Sequence, residues 1–271
     1  MDIEKKKRQE LLQWYRDLEF QISQKEDIIS PDNVKKQAVE YLNLDGFYPG
    51  YFEAKKKILF LGRESRDVDG CNRMDTDIEF LKNTNINGFG YIYWQRIFYI
   101  VYGILHEGRI PYMEIPSANE IKDFCVRENR FPFAFINLSK YSNDDNSNWQ
   151  ADSYLINRFL KDAEFEKRNF IREQISILEP DVIISCNLWE IKGIDHDKIN
   201  LVFPKEDFGD RNEALSTNGV SDVYQFNLNG KSITFIDLYH ISASRVGNLR
   251  GHRLSQTYYY DPVMKALFQS E

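Results

Sequence analysis

The sequence predicts an α/β fold: a three-layer α/β/α sandwich around a central, largely parallel sheet, with helices added at the N-terminus. Three observations carry this. Four short runs, Lys57–Gly62, Phe133–Leu138, Asp181–Cys186 and Ile233–Leu238, are apolar at nearly consecutive positions, as in strands covered on both faces. Segments of helical periodicity separate them, and strand–helix alternation favours parallel pairing. The last run is entered through Asn229-Gly230, a strong two-residue hairpin signal between 224–228 and 231–237.

In chain order, Leu11, Leu12, Tyr15 and Leu18 recur at helical spacing and predict an amphipathic helix over 2–23. Ser30-Pro31 offers a cap and a first-turn proline for a second helix to about Leu42. These two make an N-terminal helical appendage over 1–45, ahead of an α/β domain over 46–271. Tyr93 to Leu105 is apolar on nearly every side and predicts a buried helix. Ser117-Ala118-Asn119-Glu120 matches a capping box and opens a helix to about Asn129. Helical periodicity from about Tyr154 to Leu178 stops at Glu179-Pro180. The polar stretches 141–150 and 204–221 read as loops.

With 271 residues, one domain with insertions is expected. A net charge of −7 argues against a generally basic surface, while 35 Lys and Arg leave room for a local basic groove. Cys71, Cys125 and Cys186 are scattered, which fits reduced thiols and falls short of a four-cysteine iron–sulfur cluster. There is no metal-ligand spacing, P-loop or GxGxxG, so neither a metal nor a cofactor is expected. The charged start MDIEKKKRQELLQWY lacks a secretory apolar run. The segment 92–105 is too short to span a bilayer and holds Gln95 and Arg96. A cytoplasmic chain with no membrane partner is the expectation.

In an open parallel sheet, chemistry gathers at the carboxyl ends of the strands. There the first strand delivers Gly62-Arg63-Glu64-Ser65-Arg66-Asp67, and the second ends in Asn137 followed by Ser139 and Lys140. The last leads to Tyr239-His240-Ile241-Ser242-Ala243-Ser244-Arg245, then Gly247-Asn248-Leu249-Arg250-Gly251-His252-Arg253. A carboxylate orients water or stabilises an oxocarbenium ion, an amide reads one base edge, and an imidazole donates to a departing base. That is what a base-excising hydrolase requires.

The order of these motifs resembles the uracil-DNA glycosylase superfamily, over roughly residues 50–270. The family's first motif, Gly-Gln-Asp-Pro-Tyr-His, is matched by Gly62-Arg63-Glu64, with Glu64 at the water-activating position. The Asn that recognises uracil is matched by Asn137 in FAFINL. The second motif, His-Pro-Ser, is matched at two of three positions by His240-Ile241-Ser242. Leu178 to Ser185 is similar to the family segment before its next strand. Ser65-Arg66-Asp67 stands where the family has Pro-Tyr-His, and Ile241 where it has proline.

The resemblance implies an N-glycosylase hydrolysing the glycosidic bond of a flipped, damaged or deaminated base in DNA repair. Glu64 and His240 would be catalytic, and Gly62, Arg63 and Asn137 base-binding. Ser242, Ser244, Arg245, Arg250 and Arg253 would contact DNA phosphates, with the arginine-rich loop gripping or displacing the strand.

Blander readings stand beside these. Glu64 can serve a surface ion-pair cluster with Arg63 and Arg66, Asn137 a strand-end cap, and His240 a core position held by a carbonyl. The arginine loop can be merely solvated. Phe80, Phe89 and Tyr258-Tyr259-Tyr260 read as packing, and His106 and His196 as surface positions. Two other functions remain open: a non-catalytic nucleotide or nucleic-acid binding module, and a hydrolase of small nucleoside-like molecules.

Overall fold

A computed structural model describes residues 2–29, 35–66, 70–143, 152–165, 168–188, 193, 195–208, 216–217 and 220–268. The strands of the central sheet are β1 (Gly46–Phe47), β2 (Ile58–Gly62), β3 (Phe133–Asn137), β4 (Val182–Cys186), β5 (Ser216–Thr217), β6 (Ser221–Leu228) and β7 (Lys231–Leu238). Their order is β5-β6-β7-β4-β2-β3-β1. The four central strands β7, β4, β2 and β3 pair in parallel, and the outer pairings are antiparallel.

The four apolar runs are thus the four parallel strands. Alternate side chains go to opposite faces, as the twofold strand period requires. Leu59, Leu61, Ala134, Ile136 and Ile183 enter one core, and Ile58, Phe60, Phe133, Phe135 and Ile184 enter the other. The first face is covered by α1 (Ile3–Ile22), α5 (Ser153–Asp162), α6 (Phe170–Leu178) and α7 (His196–Val202). On the second lie α2 (Arg73–Asn83), α3 (Ile92–Leu105), α4 (Ala118–Arg127), the short α9 (Gly251–Ser255) and α10 (Asp261–Phe268). A one-turn helix, α8 (Lys205–Phe208), leads toward the outer strands. The molecule is therefore a mixed α/β structure with helices on both faces of a mostly parallel sheet.

Local signals decide several boundaries. The Ser117 capping box forms in full, with the hydroxyl accepting from the Glu120 N–H and Glu120 accepting from the Ser117 N–H. Asn229 (φ 52°) and Gly230 (φ 79°) make the tight β6–β7 turn, matching the right-handed strand twist. Glu179 takes φ 49° at the end of α6, and Pro180 follows.

Two helix expectations are corrected. Residues 35–42 do not continue a helix from Pro31: Lys35–Lys36 pairs with Ile28–Ile29, and Ala38–Tyr41 is a single 3-10 turn. The proposed cap Ser30-Pro31 lies outside the described residues. The reason is burial, because Ala38, Tyr41 and Leu42 all enter the core, and an extended entry lets this short segment bury them. The periodic stretch 154–178 is two helices. It is broken where Glu164–Phe165 pairs with Arg168–Asn169, and Asn169 caps α6 by accepting from the Arg172 N–H.

α1 is fastened to this body along its length. Trp14 Nε1 donates to the Phe170 carbonyl (2.8 Å), and Lys7 Nζ to Glu179 Oε1 (2.7 Å). The close approach of α3 to the C-terminal helices rests on Gly103. A Cβ there would lie 2.4 Å from Tyr260 Cε2 and 2.7 Å from Met264 Sδ. Mid-helix Gly→Ala normally stabilises by about 1 kcal/mol. Here Gly103→Ala is expected to destabilise by about 1–3 kcal/mol through overpacking, read as a lower urea midpoint at unchanged slope. An unchanged or higher midpoint would show that α10 moves aside freely.

Candidate functional site

The chain leaves β2 toward β3 through helices on one face. It leaves β4 in the opposite direction, toward β7, by way of α7 on the other face. Neighbouring strands whose exits diverge open a crevice at their carboxyl ends, where ligands of doubly wound sheets bind. The crevice here lies between β2 and β4. Arg63, the first residue after β2, lies across it: Nε donates to the Cys186 carbonyl (3.2 Å) and Nη2 to the Asn187 carbonyl (3.0 Å).

On the β3 side, pairing runs on past the strand ends. The Leu138 and Ser139 N–H groups donate to the Gly62 and Arg63 carbonyls, and Ser65–Arg66 pairs in parallel with Ser142–Asn143. This ribbon turns Glu64 toward Asn143. Glu64 Oε1 accepts from Asn143 Nδ2 (2.8 Å), and the Asp152 N–H donates to both carboxylate oxygens (3.1 and 3.2 Å). Arg66 Nη1 is 4.0 Å away, and the Glu64 side chain is only 5% exposed. Burial raises its pKa above the usual glutamate value, and the neighbouring Asp152 carboxylate adds to that, against the two hydrogen bonds and Arg66. The surface ion-pair reading of Glu64 does not fit a carboxylate this buried.

Asn137 closes β3 and is 1% exposed. Oriented as its surroundings require, its amide nitrogen donates to the Glu64 carbonyl (3.2 Å). Its oxygen accepts from Arg73 Nη1 (3.3 Å) and from Ser65 Oγ (2.7 Å). The main chain of Asn137 is held equally firmly: its N–H donates to Asp45 Oδ2 (2.7 Å), and Lys140 Nζ donates to its carbonyl (2.6 Å). Lys140 and Asp45 form an ion pair at 2.7 Å, both shielded from solvent. Gly62 is glycine because of Asn137: a Cβ would meet the Asn137 amide at 2.4 Å and Phe135 Cζ at 2.7 Å. Asn137 thus sits beneath the Gly62–Ser65 segment as a strut.

Beyond β7 stands His240, half-buried. Its Nδ1 accepts from the Ser242 N–H (3.4 Å), so the neutral ring carries its proton on Nε2. Burial, with Arg63 and Arg96 nearby, pulls its pKa down to about 4. Asp237, one turn of chain earlier, accepts from Ser185 Oγ (2.5 Å) and from the Leu188 N–H. Burial pushes it up to about 6. Ser242 and Ser244 are exposed on the following turn.

The arginine loop is a β-hairpin. Arg245–Val246 pairs with Leu249–Arg250, with Arg245 directly opposite Arg250, and the turn is Gly247 (φ 55°) and Asn248. Val246 and Leu249 pack onto the core, while Arg245, Arg250 and Arg253 are exposed. Among the described residues no carboxylate lies within 4.0 Å of these three. Cross-strand like charges are unfavourable by a few tenths of a kcal/mol or more, a cost that a bound phosphate would remove.

Sequence reasoning therefore selected residues that the fold brings to one rim: Gly62, Arg63, Glu64 and Asn137 on one side of the crevice, His240 on the other. It missed Asn143 and Asp152, which hold Glu64, and Asp45, Lys140 and Arg73, which hold Asn137. Arg96 was visible as a lone arginine in an apolar helix. Phe80 and Phe89 are corrected: they are 36% and 75% exposed rather than core, Phe89 because it lies between Gly88 and Gly90 in a turn with no helix face to bury. Tyr259 and Tyr260 are buried as expected. Among the described residues no group of three or more His, Cys, Asp or Glu side chains is placed to hold a metal ion, and no helix is long and apolar enough to cross a membrane. No protein-family model, no curated protein and no solved structure matches the chain.

Proposed function

We propose that the chain is a base-excising N-glycosylase of the uracil-DNA glycosylase type, acting on a nucleotide turned out of its strand. The observation that carries the reading is a buried carboxylate, Glu64, held in a fixed direction by Asn143 and the Asp152 N–H just past the end of β2, on the same strand-end rim that carries the neutral His240 imidazole after β7. In this reading Glu64 positions and deprotonates the attacking water. A carboxylate whose pKa lies above the ordinary range is the better base near neutral pH. Asn143 and the Asp152 N–H hold it in a fixed direction, as attack geometry demands.

The base rests against the Gly62–Glu64 main chain and Arg63, with Asn137 fixing that segment from beneath. As the glycosidic bond breaks, charge collects on the departing base, and His240 donates from Nε2. Donation from a neutral ring avoids placing a second full charge beside Arg63. The Arg245–Arg250 hairpin and the adjoining Arg253, with Ser242 and Ser244, grip the backbone phosphates, a local basic patch on an acidic protein.

Base release is the test, measured at low salt in single turnover on duplexes and single strands carrying uracil, hypoxanthine, xanthine or an oxidised pyrimidine. Glu64→Gln is expected to lower the rate at least about 100-fold, the usual contribution of a general base. Unchanged release would remove Glu64 from the chemistry.

A second reading, a nucleotide-binding module without hydrolysis, is favoured by one observation: the Asn137 amide is already engaged inside the protein. It predicts ligand binding with no release from any substrate, and indifference to Glu64→Gln.

A further inference from the structure

Arg96 is the most deeply buried cation of the second core, 1% exposed on α3. Among the described residues no carboxylate lies within 4.0 Å of it, and its Nη2 has no hydrogen-bond partner. Burying an arginine without a counter-ion is expensive, and such a residue is retained where it does something else. What it touches is specific. Nε donates to Ser255 Oγ (3.1 Å), Nη1 donates to the Ile241 carbonyl (2.5 Å), and the guanidinium lies 3.9 Å from the centre of the Tyr259 ring. The Tyr259 hydroxyl in turn donates to the carbonyl of His240 (2.8 Å).

Two consecutive carbonyls, those of His240 and Ile241, are therefore fixed from below by one stacked pair. Stacking a desolvated cation on an aromatic face is favourable, which offsets part of the burial cost. The backbone at Tyr259 belongs to a π-helical turn, Gln256–Tyr260, between α9 and α10. Single π turns of this kind occur often at functional sites.

We propose that Arg96, stacked on Tyr259, is the positioning residue for His240: the pair fixes the main chain that carries the imidazole and holds a guanidinium charge near the ring. Arg63 from the end of β2 and Arg96 from α3 are the charges facing the ring. Tyr239 precedes it in the chain, and Tyr259 donates to its carbonyl. Both arginines act on the ring in the same direction as burial.

The assignment rests on His240 being the acting imidazole, yet its test needs no substrate. The His240 ring is titrated by NMR in the full chain and in Arg96→Met, with circular dichroism as the check on folding. The midpoint, pulled down to about 4 by burial with Arg63 and Arg96 nearby, is expected to rise once the Arg96 charge is gone. Arg96→Gln keeps a donor near the position of Nε, toward Ser255 Oγ, and serves if the methionine variant does not fold; its midpoint should rise as well. Tyr259→Phe removes only the hydroxyl, so its midpoint should stay low while the His240 ring signals broaden. An unchanged midpoint in a folded, uncharged variant overturns the proposal, whatever base release shows. A shifted midpoint without base release from any substrate leaves it standing and counts against the glycosylase reading alone.

Discussion

Lys140→Met is expected to destabilise the protein by about 3–5 kcal/mol, the cost of stranding a buried partner charge. Lys140 is 0% and Asp45 1% exposed. Without the ammonium, Asp45 keeps only the Asn137 N–H and the Gln174 amide (3.1 Å to Oδ1). These are too few donors to replace water around a carboxylate. Asp45→Asn alone should also be costly, because it leaves the lysine unpaired. The double variant Asp45→Asn, Lys140→Met should cost clearly less than the sum, since neither charge remains to be stranded. Urea unfolding of all four chains measures this coupling. Additive losses, or a single-variant loss below about 1 kcal/mol, would mean that water reaches the pair. Because both groups grip the Asn137 main chain, the proposed base release should fall along with stability.

The acid limb of stability should reveal two titrations of opposite sign. His240 has an ordinary pKa near 6.5 when unfolded and about 4 when folded. Between those values the unfolded chain holds more protons, so acidification costs stability, on the order of 3 kcal/mol in all. Asp237 runs the other way, from an ordinary value of 3.8 to about 6 in the fold. Between these values the folded chain holds the extra proton, so acidification adds stability of similar size. Across pH 4–6 the two offset each other. Against the wild-type curve, His240→Asn is expected to gain relative stability as the pH falls through this window, and Asp237→Asn to lose it. Parallel curves for all three chains would show that neither group is desolvated as its surroundings imply.

Much of this was legible in the sequence because it was local. Consecutive apolar residues fixed the four parallel strands, Asn229-Gly230 fixed the hairpin, and Ser117 with Glu120 fixed a helix start. The strand-end position of Glu64, Asn137 and His240 followed from the strands alone. What stayed hidden was contact between distant segments. Asp45 meets Asn137 across 92 residues, and Arg96 meets Ile241 across 145, and no periodicity encodes such pairs. Local propensity also misled where tertiary burial overruled it. The helix expected to reach Leu42 gives way over 35–42 to a short strand pair and a 3-10 turn, because Ala38, Tyr41 and Leu42 are needed in the core. Phe89 looked like core only because the chain is so rich in aromatic residues.

The strand order carries a consequence for assembly on the ribosome. β7 comes late in the chain yet pairs beside β4 in the middle of the sheet, with β6 outside it. Until β7 docks, β4 presents an open edge, and the chain has neither His240 nor the Tyr259 turn that supports it. The earlier strands and α1–α6 precede β7 in synthesis, so a half-sheet formed before it leaves the β4 edge unpaired and lacks His240. Pairing across such separations is slow, and unpaired central edges invite misassembly. The rim that carries His240 should therefore form late, when the final hairpin pairs with β4 and closes the edge.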